Sequence, residues 1–277
     1  MASVSMRRFW LNTLLLILVG ALAGLVWWQF QQKDQQALSK RLLPLTLADV
    51  STILIERQTE GAAADKIELK RKDDQWSLSQ PASMDANPIK VRQLLTLLDE
   101  QVEASYPSAG KDLKSYGLEP STVAVSFNGR KLVLGENNPV SNRRYILNGQ
   151  QIQLVNEAVY SLLNEAWVNF VALKLLPDKL QLKGVQLPPG FADSPELVTN
   201  WTNAEAIRVE VLDPKQVLPE MQKVILQGAS ETKELVVMDL KEEIVLADLS
   251  KQLRYILPIS QAPQLFPAKT GLEAPPK

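Results

Sequence analysis

"TVAVSFNGRKLVLGENNPVSNRRYILNGQQIQLV", residues 122–155, holds four short apolar runs punctuated by glycine and asparagine. "TVAVSF", "RKLVLG", "RRYIL" and "QIQLV" have the length and β-branched content of strands. Asn128-Gly129 and Asn148-Gly149 lie between them, and Asn-Gly is the strongest short signal for a two-residue hairpin. A phosphate cradle would need a glycine-rich loop leading from a strand directly into a helix. Here the glycines sit between strands, with "GENNPVSN" as a longer loop, so the stretch predicts antiparallel hairpins and no nucleotide site.

The same pattern extends outward. "STILIER" (51–57), "KIELKRK" (66–72) and "QWSLS" (75–79) alternate apolar and polar residues, with "EGAAAD" and Asp73-Asp74 as turns. That is an antiparallel meander with one solvated face. A helix follows: Asn87 caps it, Pro88 suits its first turn, and Val91, Leu94, Leu95, Leu98 and Val102 form one stripe. "SYGLEP" is a connector, in which Gly117 permits a left-handed turn and Pro120 starts the next extended segment. After the hairpins, Asn156 caps a second helix carrying Val159, Leu162 and Leu163. Strands followed by a helix thus occur over 51–103 and again over 121–166. "LQLKGVQLPPGFADSPELVTNW" is less regular, and strands "KVILQ", "ELVVMDL", "EIVLAD" and "LRYILP" follow it. "RYIL" occurs at 144–147 and at 254–257, hinting at a related pairing pattern.

Residues 9–32 contain no charge. From Phe9 to Trp28 a helix would span about 30 Å, the thickness of a bilayer's hydrocarbon core. Phe9, Trp10, Trp27 and Trp28 suit interfacial belts, and Arg7-Arg8 favours a cytoplasmic N-terminus. The rival reading is a cleaved signal peptide, with "ALAG" at 21–24 as its site. Gly20 and Gly24 have the G-x-x-x-G spacing that lets two membrane helices approach, which allows a weak homodimer, or they are ordinary membrane-helix glycines.

The expected fold class is therefore α+β: an N-terminal transmembrane helix, then antiparallel β-meander plus helix units repeated at least twice. The expected organisation is a cytoplasmic N-terminus (1–8), a transmembrane helix (9–30) and a juxtamembrane stalk (31–41). An α+β domain (42–170), a second mostly β region (171–260) and a proline-rich tail (261–277) complete it.

Composition narrows the chemistry. Of 277 residues, none is histidine or cysteine, which removes Ser-His-Asp catalysis, thiol nucleophiles and the usual zinc and iron–sulfur ligands. A net charge of −1 offers no basic field for nucleic acid. Asp73-Asp74 reads as a solvated turn, and Lys66, Lys70, Arg71 and Lys72 as a basic strand edge. Arg143-Arg144 reads as a solvated hairpin end or as a contact for anionic groups. Asn200-Trp201-Thr202 is a glycosylation sequon of little weight. No catalytic residue, metal ligand or cofactor is expected.

Taken in order, "ILIER", Trp76-Ser77-Leu78 with Pro81, "VRQLLTLLDE", Tyr116-Gly117-Leu118-Glu119-Pro120 and "LVLGENNPV" with Tyr145 resemble the bacterial domain of unknown function 4340 family, over about residues 45–170. The resemblance implies membrane-anchored or exported proteins without an assigned reaction, some of them similar to auxiliary parts of ABC transport systems. It implies Trp76 and Tyr116 as core aromatics and Gly117 and Gly135 as turn residues. The functional expectation is a non-catalytic accessory or scaffold at the inner membrane, bound to lipid through 9–30 and to a membrane or periplasmic protein. The alternative is an extracytoplasmic ligand-binding or sensory module, a weak hydrolase included, which a deep pocket with converging polar groups would favour.

Overall fold

Alternating apolar residues on β1 (Thr52–Arg57) and β2 (Asp65–Lys72) bury Ile53, Ile55, Ile67 and Leu69 completely. The structure, a computed structural model, describes residues 18–22, 41–58, 65–177, 180–229 and 231–269. Of the uncharged run, only residues 18–22 are described; they are helical and exposed. The rest of that span, the stalk up to residue 40, the "EGAAAD" turn apart from Asp65, and the tail from 270 lie outside the described residues. Among those described, no helix is long and apolar enough to cross a membrane.

The architecture is α+β, mostly antiparallel sheet with few helices. β3 (Gln75–Gln80) and the two-residue β4 (Met84–Asp85) continue from β2. β6 (Val123–Phe127), β7 (Arg130–Asn138), β8 (Arg143–Asn148) and β9 (Gln151–Asn156) form the second run. With β5 (Ala104–Pro107) they make a nine-stranded sheet in the order β4-β3-β2-β1-β6-β7-β8-β9-β5. β1 joins the two runs by pairing antiparallel with β6, Ile53 opposite Phe127 and Ile55 opposite Val125. β6 is buried along its whole length.

Turn chemistry sets the registers. Asn128 and Gly129 have φ of 49° and 79°, the two positive values that a type I′ hairpin requires. Asp73-Asp74 does the same with φ of 49° and 62°. The next hairpin turns one residue later than the Asn-Gly pair suggests: Asn148 still pairs with Gln151, and its amide donates to the Leu42 carbonyl at 2.8 Å, so Gly149 and Gln150 make the turn. β2 is an interior strand, not the basic edge expected. Its Lys66 and Lys70 pair with Glu56 (3.5 Å) and Glu68 (2.8 Å) on the solvated face.

Helix α1 (Pro88–Thr96) starts as its sequence dictates: Asn87 Oδ1 accepts from the amides of Ile89 and Lys90. It ends in a 3₁₀ turn, Leu97–Asp99, so Val102 lies beyond it. Ahead of α2 (Ala158–Leu163), Asn156 Oδ1 accepts from the Ala158 amide at 2.9 Å. The second sheet takes β10 (Leu182–Gln186), β11 (Arg208–Val211), β12 (Lys223–Gly228), β13 (Thr232–Asp239), β14 (Glu243–Asp248) and β15 (Leu253–Pro258), in the order β10-β12-β13-β14-β15-β11. The two "RYIL" copies are not placed alike. One lies in β8, which runs on into another hairpin; the other lies in β15, which a 3₁₀ turn follows at once.

One apolar core runs from Leu42 to Phe266 and underlies both sheets. Its largest fully buried side chain is Trp201, on helix α3 (Leu197–Thr202). The indole donates to the Leu265 carbonyl at 3.0 Å and meets Phe266 edge-on at 5.5 Å, tying α3 to α4 (Ala262–Leu265). The sequon therefore encloses a core residue. Trp201→Ala is expected to cost about 3–5 kcal/mol in equilibrium unfolding, from lost transfer free energy and the cavity left behind; a loss below about 1 kcal/mol would place the indole outside the core.

Candidate functional site

The segment from Phe170 to Leu176 bonds to both sheets. On one side the Asn87 amide donates to the Phe170 carbonyl at 2.8 Å, and the Ala172 amide to the Asp85 carbonyl at 2.9 Å. On the other, the Ala206 amide donates to the Leu173 carbonyl at 2.8 Å, and Lys174 bridges to Glu205. This strap forms the floor of a groove of about 630 Å³ between the sheets. One wall is Trp76, Met84 and the α1 residues Ile89, Val91 and Leu95; the other is Tyr255 with Glu205 and Lys251 at the rim. Asp74, Asp85 and Arg92 also border it. The lining is chiefly apolar, and Ile89 and Leu47 are exposed at its lip.

Behind the strap lies a buried ionic centre. Lys233 Nζ donates to the Leu175 carbonyl at 2.7 Å and stands 3.2 Å from Asp248 Oδ2. Its ammonium also faces the Tyr255 ring at 5.3 Å. Asp248 Oδ1 accepts from the Ser250 hydroxyl (2.6 Å) and from the amides of Ser250 and Lys251. Oδ2 makes no well-aligned hydrogen bond of its own. Burial pushes the Asp248 carboxyl up, but the Ser250 hydroxyl and the Lys233 charge together hold it below its ordinary value. Burial lowers Lys233, with the Asp248 charge opposing the shift. Burial, then the Asp248 charge, raises the Tyr255 phenol. The centre pins the strap to the second sheet.

The residues singled out in the sequence fall into separate places. Trp76 is half-buried: it packs on the core with one side and borders the groove with the other, instead of being a fully enclosed core aromatic. Tyr116, Gly117 and Gly135 come together 40 residues and more along the chain from it. The Tyr116 ring meets Tyr145 edge-on at 4.9 Å and keeps some exposure. Gly117, at φ 66°, ends a 3₁₀ turn, and any Cβ there would lie 2.8 Å from the Glu136 amide. Gly135 is not a turn residue. It lies inside β7 beside a bulge, where a Cβ would meet the Tyr116 carbonyl and stand 2.9 Å from Leu118 Cδ2. Pro120 leads toward β6 just after the Leu118 contact. Gly20 has nothing within 4 Å of its Cβ position, and Gly24 lies outside the described residues.

Arg143 and Arg144 are neither free nor solvated as a pair. Arg143 Nε bonds Glu103 at 2.5 Å. Arg144 is largely buried, stacks on Tyr160 at 3.8 Å, binds Glu157 (Nε to Oε2, 2.9 Å) and donates to the Gly135 carbonyl. Among the described residues no cluster of three or more acids is arranged to hold a metal ion.

Residues 76–187 match the family model described as Domain of unknown function (DUF4340). That segment is similar to the family, and the match covers less than half of the chain. The match begins at Trp76, so it leaves out β1 and β2, and it runs past the strap to the end of β10. The DUF4340 segment thus holds Trp76, the Tyr116–Gly135 contact and the floor of the groove. No curated protein and no solved structure matches the chain.

The groove's walls come from β3 and α1, from the strap, and from 205, 251 and 255, so no local motif announces it. Lys233 and Asp248 gave no signal either, since each sits singly in an alternating strand. Removing one member of this buried pair is expected to cost about 3–5 kcal/mol, because the other charge is left uncompensated. Lys233→Met with Asp248→Leu should then unfold later than either single variant, as followed by urea denaturation. The acid limb of stability follows from the sign of the shift. A carboxyl held below its unfolded value contributes stability that is complete above that value and fades as pH falls through the folded one. Asp248→Asn should flatten that limb; an unchanged limb would remove the charge from the account.

Proposed function

We propose that the chain is a single-pass, membrane-anchored accessory protein of the cell envelope that works by binding and not by catalysis. The observation that carries this reading is the uncharged run of residues 9–32 behind Arg7-Arg8, long enough to span a bilayer and edged by Trp27 and Trp28. In this reading 9–30 is the transmembrane helix, the N-terminus is cytoplasmic, and the sheets face the outside of a bacterial inner membrane, in company with an envelope or ABC-type transport complex. Meander-and-helix units repeat in it, a reading supported by the order β1–β4 then α1, and β6–β9 then α2.

The ionisable groups support binding over catalysis. Glu56, Glu68 and Glu157 are held below ordinary carboxylate values by hydrogen bonds from Lys131, Lys70 and Arg144 respectively, with burial opposing. Glu210 is held low by Arg208 and Arg254. A carboxylate fixed in its ionised form is a poor general acid near neutral pH. The full-length chain should sediment with inner membranes and resist extraction by high salt. A soluble form beginning at Gly24 would mean cleavage after Ala23 and would end the anchor reading.

The groove favours a second reading, a site for an apolar ligand, since it is concave, chiefly apolar and bordered by a few charges. An environment-sensitive apolar dye should brighten on the folded chain and lose most of that signal in Ile89→Asp, which sets a charge at the lip. Equal signal in both would count against ligand capture there.

A further inference from the structure

Tyr255 stands on β15 opposite Leu246 of β14 and Val209 of β11, and only 2% of it is exposed. A phenol buried this far ordinarily gives its O–H to a protein acceptor. Among the described residues none takes it. The neighbouring polar groups are engaged with each other: Asp248 Oδ1 with Ser250 and Lys251, and Lys233 Nζ with Leu175 and Asp248. Lys233 meets the Tyr255 ring at 5.3 Å and makes no bond to its hydroxyl. The hydroxyl oxygen is not sealed in either, and Tyr255 belongs to the lining of the groove. Phenylalanine would fill the same space without an unmade hydrogen bond.

The surroundings define what can meet this hydroxyl. Trp76, Met84, Ile89 and Leu95 make the walls apolar, which suits a ligand with an apolar body. The rim sets Asp74, Asp85 and Glu205 against Arg92, Lys174 and Lys251, so it selects no net charge. At the hydroxyl itself a ligand charge of either sign is opposed. A carboxylate would be desolvated while facing Asp248 and Asp85, whose charges, together with the larger effect of burial, hold the phenol in its protonated form. An ammonium would be desolvated beside the Lys233 ammonium on the same ring. A neutral carbonyl meets neither penalty, and its oxygen accepts one O–H.

We propose that the groove takes an uncharged ligand with an apolar body and a carbonyl group (an acyl ester, amide or ketone) whose oxygen accepts from the Tyr255 hydroxyl. The proposal rests on the ligand reading of the groove given above and adds the group that orients the ligand there. Tyr255 is then a specificity residue. It favours a carbonyl compound over a hydrocarbon of the same shape by one hydrogen bond, about three- to tenfold in affinity.

The test places the full-length chain in lipid nanodiscs with the environment-sensitive apolar dye, and the signal scored is the part that Ile89→Asp removes. Four probes compete for it, each titrated as free aqueous concentration: acetophenone, α-methylstyrene, benzoate and benzylammonium. α-Methylstyrene keeps the acetophenone skeleton with a methylene in place of the carbonyl oxygen. Acetophenone should displace the dye from the unsubstituted chain at about three- to tenfold lower concentration than α-methylstyrene. In Tyr255→Phe the two should compete equally, and the two ions should be the weakest on both chains. Without any probe, Tyr255→Phe should unfold in urea no earlier than the unsubstituted chain, since it loses no protein hydrogen bond. Equal competition by the two neutral probes, a preference that survives in Tyr255→Phe, or stronger competition by either ion would overturn the carbonyl assignment while leaving a groove that binds apolar ligands. Earlier unfolding of Tyr255→Phe would give the hydroxyl a structural role and overturn it as well. A dye signal that Ile89→Asp leaves intact, or that no probe displaces, would remove the ligand reading itself and the proposal with it.

Discussion

The strap between Phe170 and Leu176 is the constraint on which the site depends. Its backbone bonds to Asp85 and Asn87 at the end of one sheet and to Ala204 and Ala206 beside the other. A partly buried strap must place its amides and carbonyls somewhere, and these partners take several of them. Leu175 and Leu176 then enter the shared core, and Lys233 takes the Leu175 carbonyl. Without the strap the groove would lose its floor, and the partly buried Lys233 ammonium would lose the Leu175 carbonyl as a hydrogen-bond partner.

The two sheets use the same physics with different emphasis. β1 and β6 bury Ile53, Ile55, Val125 and Phe127 against each other's neighbours, so the large sheet is strongest at its centre and ends in the short strands β4 and β5. Short edges limit pairing with other chains. The second sheet buries Leu235, Ile244, Leu246 and Leu257 in the common core and carries the Lys233–Asp248 ion pair, its carboxylate buried and its ammonium partly so, where the strap crosses. The Tyr116–Gly135 contact has a comparable role at the other end of the large sheet, where glycine lets a carbonyl approach β7 closely and Tyr145 supports the β7–β8 loop.

What could be read from the sequence was local. Asn87-Pro88, Asp73-Asp74 and Asn128-Gly129 announce themselves because cap and turn chemistry is contained within two to four residues. The long meander strands announce themselves by alternation. β4, β5, β10 and β11 do not, since each is short and owes its existence to a partner far along the chain; β5 pairs with β9, about 47 residues later. Asn148-Gly149 misplaced its turn by one residue: Asn148 still pairs with Gln151, and its side-chain amide bonds the distant Leu42 carbonyl. The groove and the Lys233–Asp248 pair were illegible for the same reason: their members converge only after both sheets have formed.

The central claim is that strap and core make the two sheets one cooperative unit, with the groove as a fixed feature of it. Native-state hydrogen exchange resolved by residue tests this most directly. The amides of Ala172 and Ala206 should exchange only through global opening, with the same free energy as β1 in the first sheet and β14 in the second. Two separate protection classes, one for each sheet, with Ala172 and Ala206 exchanging faster than both, would contradict it.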